Sequence, residues 1–249
     1  MGDISARMKN ELHLGAIALG IRPLVVGVFS SCRTLEHPLD ATQLPFDVAE
    51  LRVDLIGVDC PNWLEFASRL IAEGMPVILT VRHPNEGGRW YLDEEERAAV
   101  YRTALPFVSA IDVEIGSDLA KTLADEAHRA GKLVIGSFHD FEATPDASVL
   151  RGKIGEGRAK GVDVVKLATL IRADGDVEKL KGLLVERDSG PLCLLGMGER
   201  GAESRVTLAL AGSCLTYGFY DLANAPGQLS AGDLRDRLRK ASGAGQTSN

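Results

Sequence analysis

The sequence has no long hydrophobic run. Its apolar stretches are strand-sized, well short of the roughly 20 residues that a membrane-spanning helix needs. The N-terminus carries charges but no apolar signal-peptide core, so no secretory leader is expected. A basic stripe is also missing. The 28 Lys and Arg are interspersed with 35 Asp and Glu, the net charge is -7, and nucleic acid is not an expected partner. The four cysteines (Cys32, Cys60, Cys193, Cys214) are scattered, with no CxxC pair. Free thiols in a cytoplasmic protein fit that pattern better than disulfides or zinc. No linker interrupts the 249 residues, so one domain over 1–249 is expected.

What is present is an alternation. The composition is 45% hydrophobic and 25% charged, ordinary for a globular domain. Two short strands over 11–15 and 16–20 read as a hairpin. Eight short apolar runs follow, over 24–29, 46–54, 76–82, 108–115, 133–138, 162–168, 191–196 and 211–217. Helical patterns fill most gaps, over 62–73, 93–105, 117–130, 145–160, 174–186, 202–210 and 230–241. Thr144 reads as an N-cap with Pro145 at the first helical position. The gap over 31–45 holds two prolines and little helical period, which predicts a loop or short turn. Residues 1–10 read as a loose start and 243–249 as a disordered polar tail. Eight strands alternating with helices, at about 30 residues per unit, predict an α/β fold, a single (β/α)8 TIM barrel. An open doubly wound sheet is the rival, and the even spacing favours the barrel.

In such a barrel the chemistry sits at the C-terminal ends of the strands. Glu50, Arg52 and Asp54 alternate on the second strand and should share one face. The third strand leads to Arg82 and Glu86, the fourth carries Asp112 and Glu114, and the fifth delivers His139. The sixth delivers Lys166, the seventh leads to Met197 and Arg205, and the eighth ends at Tyr217 and leads to Gln228. A strand-end lysine that cannot easily reach water favours its neutral amine, a nucleophile toward carbonyl carbon. A histidine one strand away is a general acid/base near neutral pH. Either residue alone has a structural explanation; their convergence with arginines and carboxylates suits an anionic, hydroxylated ketone. Gly196-Met-Gly198-Glu-Arg-Gly201, with Asp221 about 20 residues on, matches a dinucleotide fingerprint. It comes too late in the chain for a Rossmann domain to finish, so we read the glycines as a tight seventh loop.

Seven blocks in order resemble the type I 3-dehydroquinate dehydratases. They are Glu50-Leu-Arg52-Val-Asp54, Arg82 with Glu86-Gly-Gly, Ser137-Phe-His139-Asp-Phe, Val165-Lys166, Met197-Gly-x-x-Gly201-x-x-Ser204-Arg205, Gly212-Ser-x-Leu-Thr, and Ala225-Pro-Gly-Gln228. The resemblance implies a barrel closed at the bottom by the N-terminal hairpin. It also implies a homodimer, no metal or cofactor, and dehydration of 3-dehydroquinate to 3-dehydroshikimate in the shikimate route. Carried over, Lys166 forms an imine with the ketone, His139 moves the protons and Glu86 orients His139. Arg205 and Gln228 hold the substrate carboxylate. Glu50, Arg52 and Arg82 bind ring hydroxyls and order the lysine's surroundings. Met197 belongs to the same substrate pocket. Asn224 stands where the family usually has a serine that touches substrate, and Tyr217 where phenylalanine is common. Two alternatives share parts of this pattern: another lysine-imine enzyme of class I aldolase type, and a catalytically silent barrel that binds a quinate-like metabolite.

Overall fold

Eight parallel strands form the sheet around which the chain is wound. The computed structural model describes residues 12–37, 39–186, 190–223 and 228–244. A two-stranded antiparallel hairpin, β1 (His13–Leu14) and β2 (Ile17–Ala18), comes first. The parallel strands are β3 (Leu24–Phe29), β4 (Val48–Arg52), β5 (Val77–Thr80), β6 (Ala110–Glu114), β7 (Leu133–Asp140), β8 (Val164–Leu170), β9 (Leu192–Met197) and β10 (Leu215–Phe219). From β3 to β9 each strand pairs with the next in sequence, and β10 pairs with β3 rather than with β9. At the seam between β9 and β10 the Cys214 N–H donates to the Leu192 carbonyl at 2.8 Å, and the Leu194 N–H donates to Ser213 Oγ at 2.9 Å. The barrel is thus nearly closed, as the alternation predicts.

The helices on the outside are α1 (Cys32–Leu35), α2 (Val53–Ile56), α3 (Trp63–Ala72), α4 (Glu94–Ala104), α5 (Leu119–Arg129), α6 (Ala147–Ala159), α7 (Asp174–Leu184), α8 (Gly201–Leu210) and α9 (Ala231–Ala244). The period-two alternation of the strands separates two apolar layers. Ala49, Leu51, Val165 and Leu167 face the helices. Val26, Val48, Ile78, Val164 and Ala168 fill the barrel interior together with Leu14 of the hairpin, which is 1% exposed. Burying a leucine there contributes roughly 2 kcal/mol, and it places the hairpin over the N-terminal end of the barrel. The opposite end is left for chemistry.

Several expectations are corrected. Cys32 and Cys60 form a disulfide, with Cα atoms 5.8 Å apart, so only Cys193 and Cys214 are free thiols. The two half-cystines lie 28 residues apart, and they meet because α1 packs on α3; no spacing motif announces this. Closing such a loop constrains the unfolded chain by about 3 kcal/mol. The first crossover is otherwise the short turn expected, with α1 and a 3-10 turn at Ala41–Gln43. Asp54 lies in α2 rather than on the second strand. Thr144 does not cap α6. Its hydroxyl bonds Thr169 Oγ1 and the Leu170 carbonyl, each at 2.9 Å, and Asp146 occupies the N-cap position. The helix over 94–104 does begin as its acidic first turn suggests, with a reciprocal Asp93–Glu96 capping box. Gly243 continues α9; residues 1–10 and the rest of the predicted tail, 245–249, lie outside the described residues.

Candidate active site

The strand register decides what stands beside Lys166. On β8 it pairs with Ser137 of β7, and His139 pairs with Ala168 one layer higher. Both Lys166 and His139 therefore point inward, with His139 nearer the mouth. They open on one cavity of ≈ 680 Å³ at the C-terminal end of the barrel. Glu50, Arg52, Arg82, Glu86, Met197, Arg205, Tyr217 and Gln228 line the same cavity. Ten of the eleven predicted site residues are thus brought together; Asn224 lies outside the described residues.

Lys166 is 4% exposed. Its Nζ donates to Asp112 Oδ2 at 2.8 Å, lies 3.7 Å from Glu50 Oε1, and sits 4.0 Å from the centroid of the Tyr217 ring. Two carboxylates and an aromatic face thus fix the position of Nζ at the floor of the cavity. Asp112 carries this arrangement and had no assigned role in the sequence. It is fully buried and also meets Arg82 Nη2 at 2.7 Å and Ser137 Oγ at 2.7 Å. Burial pushes its carboxyl up, but the Arg82 and Lys166 cations and the hydrogen bonds outweigh it and hold the group far below the usual carboxylate range. Arg82 is spent largely on this network, since Nη1 also donates to Glu114 Oε1 at 2.8 Å and Ser137 Oγ at 2.6 Å. Arg52 is held by a two-pronged pair with Asp54, at 2.9 and 2.8 Å.

His139 is fixed by Glu86. One carboxylate oxygen, Oε2, accepts the His139 backbone N–H at 3.0 Å and lies 2.9 Å from Nδ1. Accepting both bonds requires Nδ1 to carry its hydrogen, which leaves the Nε2 lone pair available to the cavity. Burial, together with the Arg82 and Lys166 cations, pushes the imidazole well below its ordinary range, so it is a neutral base. Burial also pushes Glu86 up to about 7, against the pull of Arg82. Glu86 can occupy this position because the chain folds back sharply after it. Gly87 has φ +78°, and a Cβ on Gly88 would lie 1.9 Å from the Arg82 carbonyl oxygen, so both glycines of Glu86-Gly-Gly are required.

The pH dependence follows with a definite sign. Base chemistry at His139 requires ionised Glu86 and a neutral imidazole, so any turnover that uses it should fall as pH drops below about 7, where Glu86 takes up a proton. In Glu86→Gln that limb should move to lower pH. A kcat–pH profile unchanged by this substitution would remove Glu86 from the proton inventory.

Arg205, on α8, is 7% exposed and lines the cavity. It donates to the Tyr217 carbonyl but meets no carboxylate among the described residues. Burial without a counter-ion lowers it to about 10. An uncompensated guanidinium of this kind is costly unless an anion joins it. The loop before it explains the dinucleotide-like glycines. A Cβ on Gly201 would lie 2.6 Å from the Gly196 backbone, and one on Gly196 would lie 1.9 Å from Ser204 Oγ. The glycines permit close packing of β9 on α8. Asp221, the would-be ribose ligand, instead accepts hydrogen bonds from the Ser30 and Ser31 backbone N–H groups at 3.0 Å.

The model of the type I 3-dehydroquinase family matches residues 25–243. The chain belongs to that family. Among its relatives, the 3-dehydroquinate dehydratase of Methanococcoides burtonii is 32% identical, over 91% of this chain and 98% of that protein. The 3-dehydroquinate dehydratase of Pyrobaculum aerophilum is 35% identical, over 88% of this chain and 69% of that one. The crystal structure of the type I enzyme of Clostridium difficile has a TM-score of 0.80 at 24% identity, covering 95% of this chain and 99% of that one, which bears on the fold. Family membership makes the chain a lyase and sets aside the aldolase and dinucleotide alternatives. Among the described residues, no helix is long and apolar enough to cross a membrane.

Proposed function

We propose that the chain dehydrates 3-dehydroquinate to 3-dehydroshikimate through an imine on Lys166, with His139 as the proton carrier. The observation that supports this reading most is the cavity's pairing of Lys166 and His139 with a buried cation, Arg205, that lacks a counter-ion among the described residues. A carboxylate on the substrate supplies that counter-ion, and Gln228 lines the same cavity. The ketone then approaches Lys166.

In the first step the Nζ lone pair adds to the carbonyl carbon and the oxygen leaves as water, giving a protonated imine. Asp112, 2.8 Å from Nζ, accepts its hydrogen bond and aims the nitrogen at the carbonyl carbon, and two protons leave Nζ with the carbonyl oxygen as that water. The imine cation draws electrons from the adjacent C–H bond, and His139 Nε2 removes that proton. The electron pair next returns and expels the hydroxyl, which His139 protonates as it leaves. Water then hydrolyses the imine and frees the product. Glu50, Arg52 and Arg82 contact ring hydroxyls and keep Lys166 in register, while Met197 and Tyr217 give the ring an apolar wall. The enzyme works as a homodimer in the cytoplasm; the family's biosynthetic role supports that compartment, and the Cys32–Cys60 disulfide fits it least well.

Turnover of 3-dehydroquinate, followed as the UV absorbance of the enone product, tests the reaction. Arg205→Met should raise KM about 10²-fold, because a charged bond to the substrate is lost, while the imine still forms at saturating substrate. A KM within twofold of the unsubstituted enzyme would remove Arg205 from the carboxylate site. Sedimentation analysis tests the dimer.

A further inference from the structure

Arg97 lies outside the catalytic cavity, on the outer helix α4, yet it is 0% exposed. It lines a separate cavity of ≈ 410 Å³ together with Glu86 and Glu114. Nη1 donates to Glu114 Oε2 at 2.6 Å and to the Val81 carbonyl at 3.0 Å. Nη2 donates to Glu94 and Ser117 at 2.8 and 3.0 Å. Its Nε has no acceptor among the described residues, so burying this guanidinium is costly and an apolar side chain would be cheaper as packing.

Glu114 is the link inward. Its other oxygen, Oε1, accepts from Arg82 Nη1 at 2.8 Å and from the His83 backbone N–H at 3.0 Å. Arg82 Nη2 reaches Asp112 at 2.7 Å, and Asp112 reaches Lys166 Nζ at 2.8 Å. The result is an unbroken file of alternating charge, Arg97–Glu114–Arg82–Asp112–Lys166, with Glu50 3.7 Å beyond. In a buried file the charges are weakly screened, and changing one end redistributes the rest.

We infer that Arg97 is a positioning residue that sets how readily Lys166 becomes the neutral nucleophile, acting through Glu114, Arg82 and Asp112. With Arg97 present, Glu114 is neutralised from outside, and Arg82 is free to hold Asp112. Without its charge, Glu114 draws Arg82 outward, Asp112 is left to Lys166, and the ammonium is favoured. The remaining groups that face Lys166 are Glu50 of β4, His139 of β7, Cys193 of β9 and Tyr217 of β10; none touches Arg97, so they are constant across the comparison. The inference rests on the imine reading of Lys166.

The test is the rate of borohydride-trapped adduct formation with 3-dehydroquinate, at subsaturating substrate, as a function of pH. In Arg97→Met trapping should slow about 10-fold at neutral pH and recover at alkaline pH, so the acid limb moves upward. Arg97→Lys, which restores charge, should leave the limb near its original place. Glu114→Gln removes the anion instead and should move the limb the other way, toward acid. That opposite sign decides the matter even if Arg97→Met fails to fold. Profiles that run parallel in all three variants, or a Glu114→Gln limb that does not move toward acid, would overturn the role of Arg97. Absence of any adduct in the unsubstituted enzyme would instead overturn the imine reading.

Discussion

Lys166→Ala is expected to abolish turnover, lowering kcat by ~10⁴-fold or more, and to abolish the borohydride adduct. The imine nitrogen is the lysine's own Nζ, and no other lysine among the described residues lines the cavity. Alanine also removes the cation between Asp112 and Glu50. Leaving buried carboxylates without it costs about 3–5 kcal/mol, so a loss of activity alone could reflect unfolding. Lys166→Arg separates the two effects. Arginine keeps a permanent charge for Asp112 and cannot act as a neutral amine. It should retain the fold, read by circular dichroism, and still form no adduct. Substantial turnover in either variant would end the account of Lys166.

His139→Ala is expected to fail at a different step. Adduct should still form, because Lys166 and its carboxylates are untouched, and elimination should slow by about 10²- to 10⁴-fold, the usual worth of a positioned acid/base. The His139 ring touches the fold chiefly through Glu86 and lies 6.2 Å from Phe141 between ring centroids, so its removal spares the barrel. A folded His139→Ala protein with no adduct would mean that His139 serves imine formation rather than proton removal.

The barrel was legible in the sequence because each strand is a short β-branched or apolar run and each helix keeps its own period. β3 begins and ends where the pattern does, at Leu24–Phe29. Where the chain changes state within a run, the pattern blurs. The second run continues past Arg52 into α2, so Asp54 reads as a strand residue although it bonds Arg52 from a helical turn. The rim residues were legible because strand ends project to one face of a barrel. Their partnerships were not. Asp112 and Glu114 both point inward, and only the register of β6 against its neighbours gives one to Lys166 and the other to Arg97. Arg97 itself sits in Asp93-Glu-Glu-Glu-Arg97, a stretch that reads as a solvated helix face. The Cys32–Cys60 disulfide depends on two crossovers meeting in space, which spacing along the chain does not encode.

One measurement bears on the central claim more directly than any other. The protein is incubated with 3-dehydroquinate and borohydride, and the reduced adduct is mapped by peptide mass, alongside a parallel incubation without borohydride. The account predicts one substrate-derived mass on Lys166 with loss of activity, and accumulation of the UV-absorbing enone in the parallel sample. Enone formed at full rate in the presence of borohydride, with Lys166 unmodified, would contradict it.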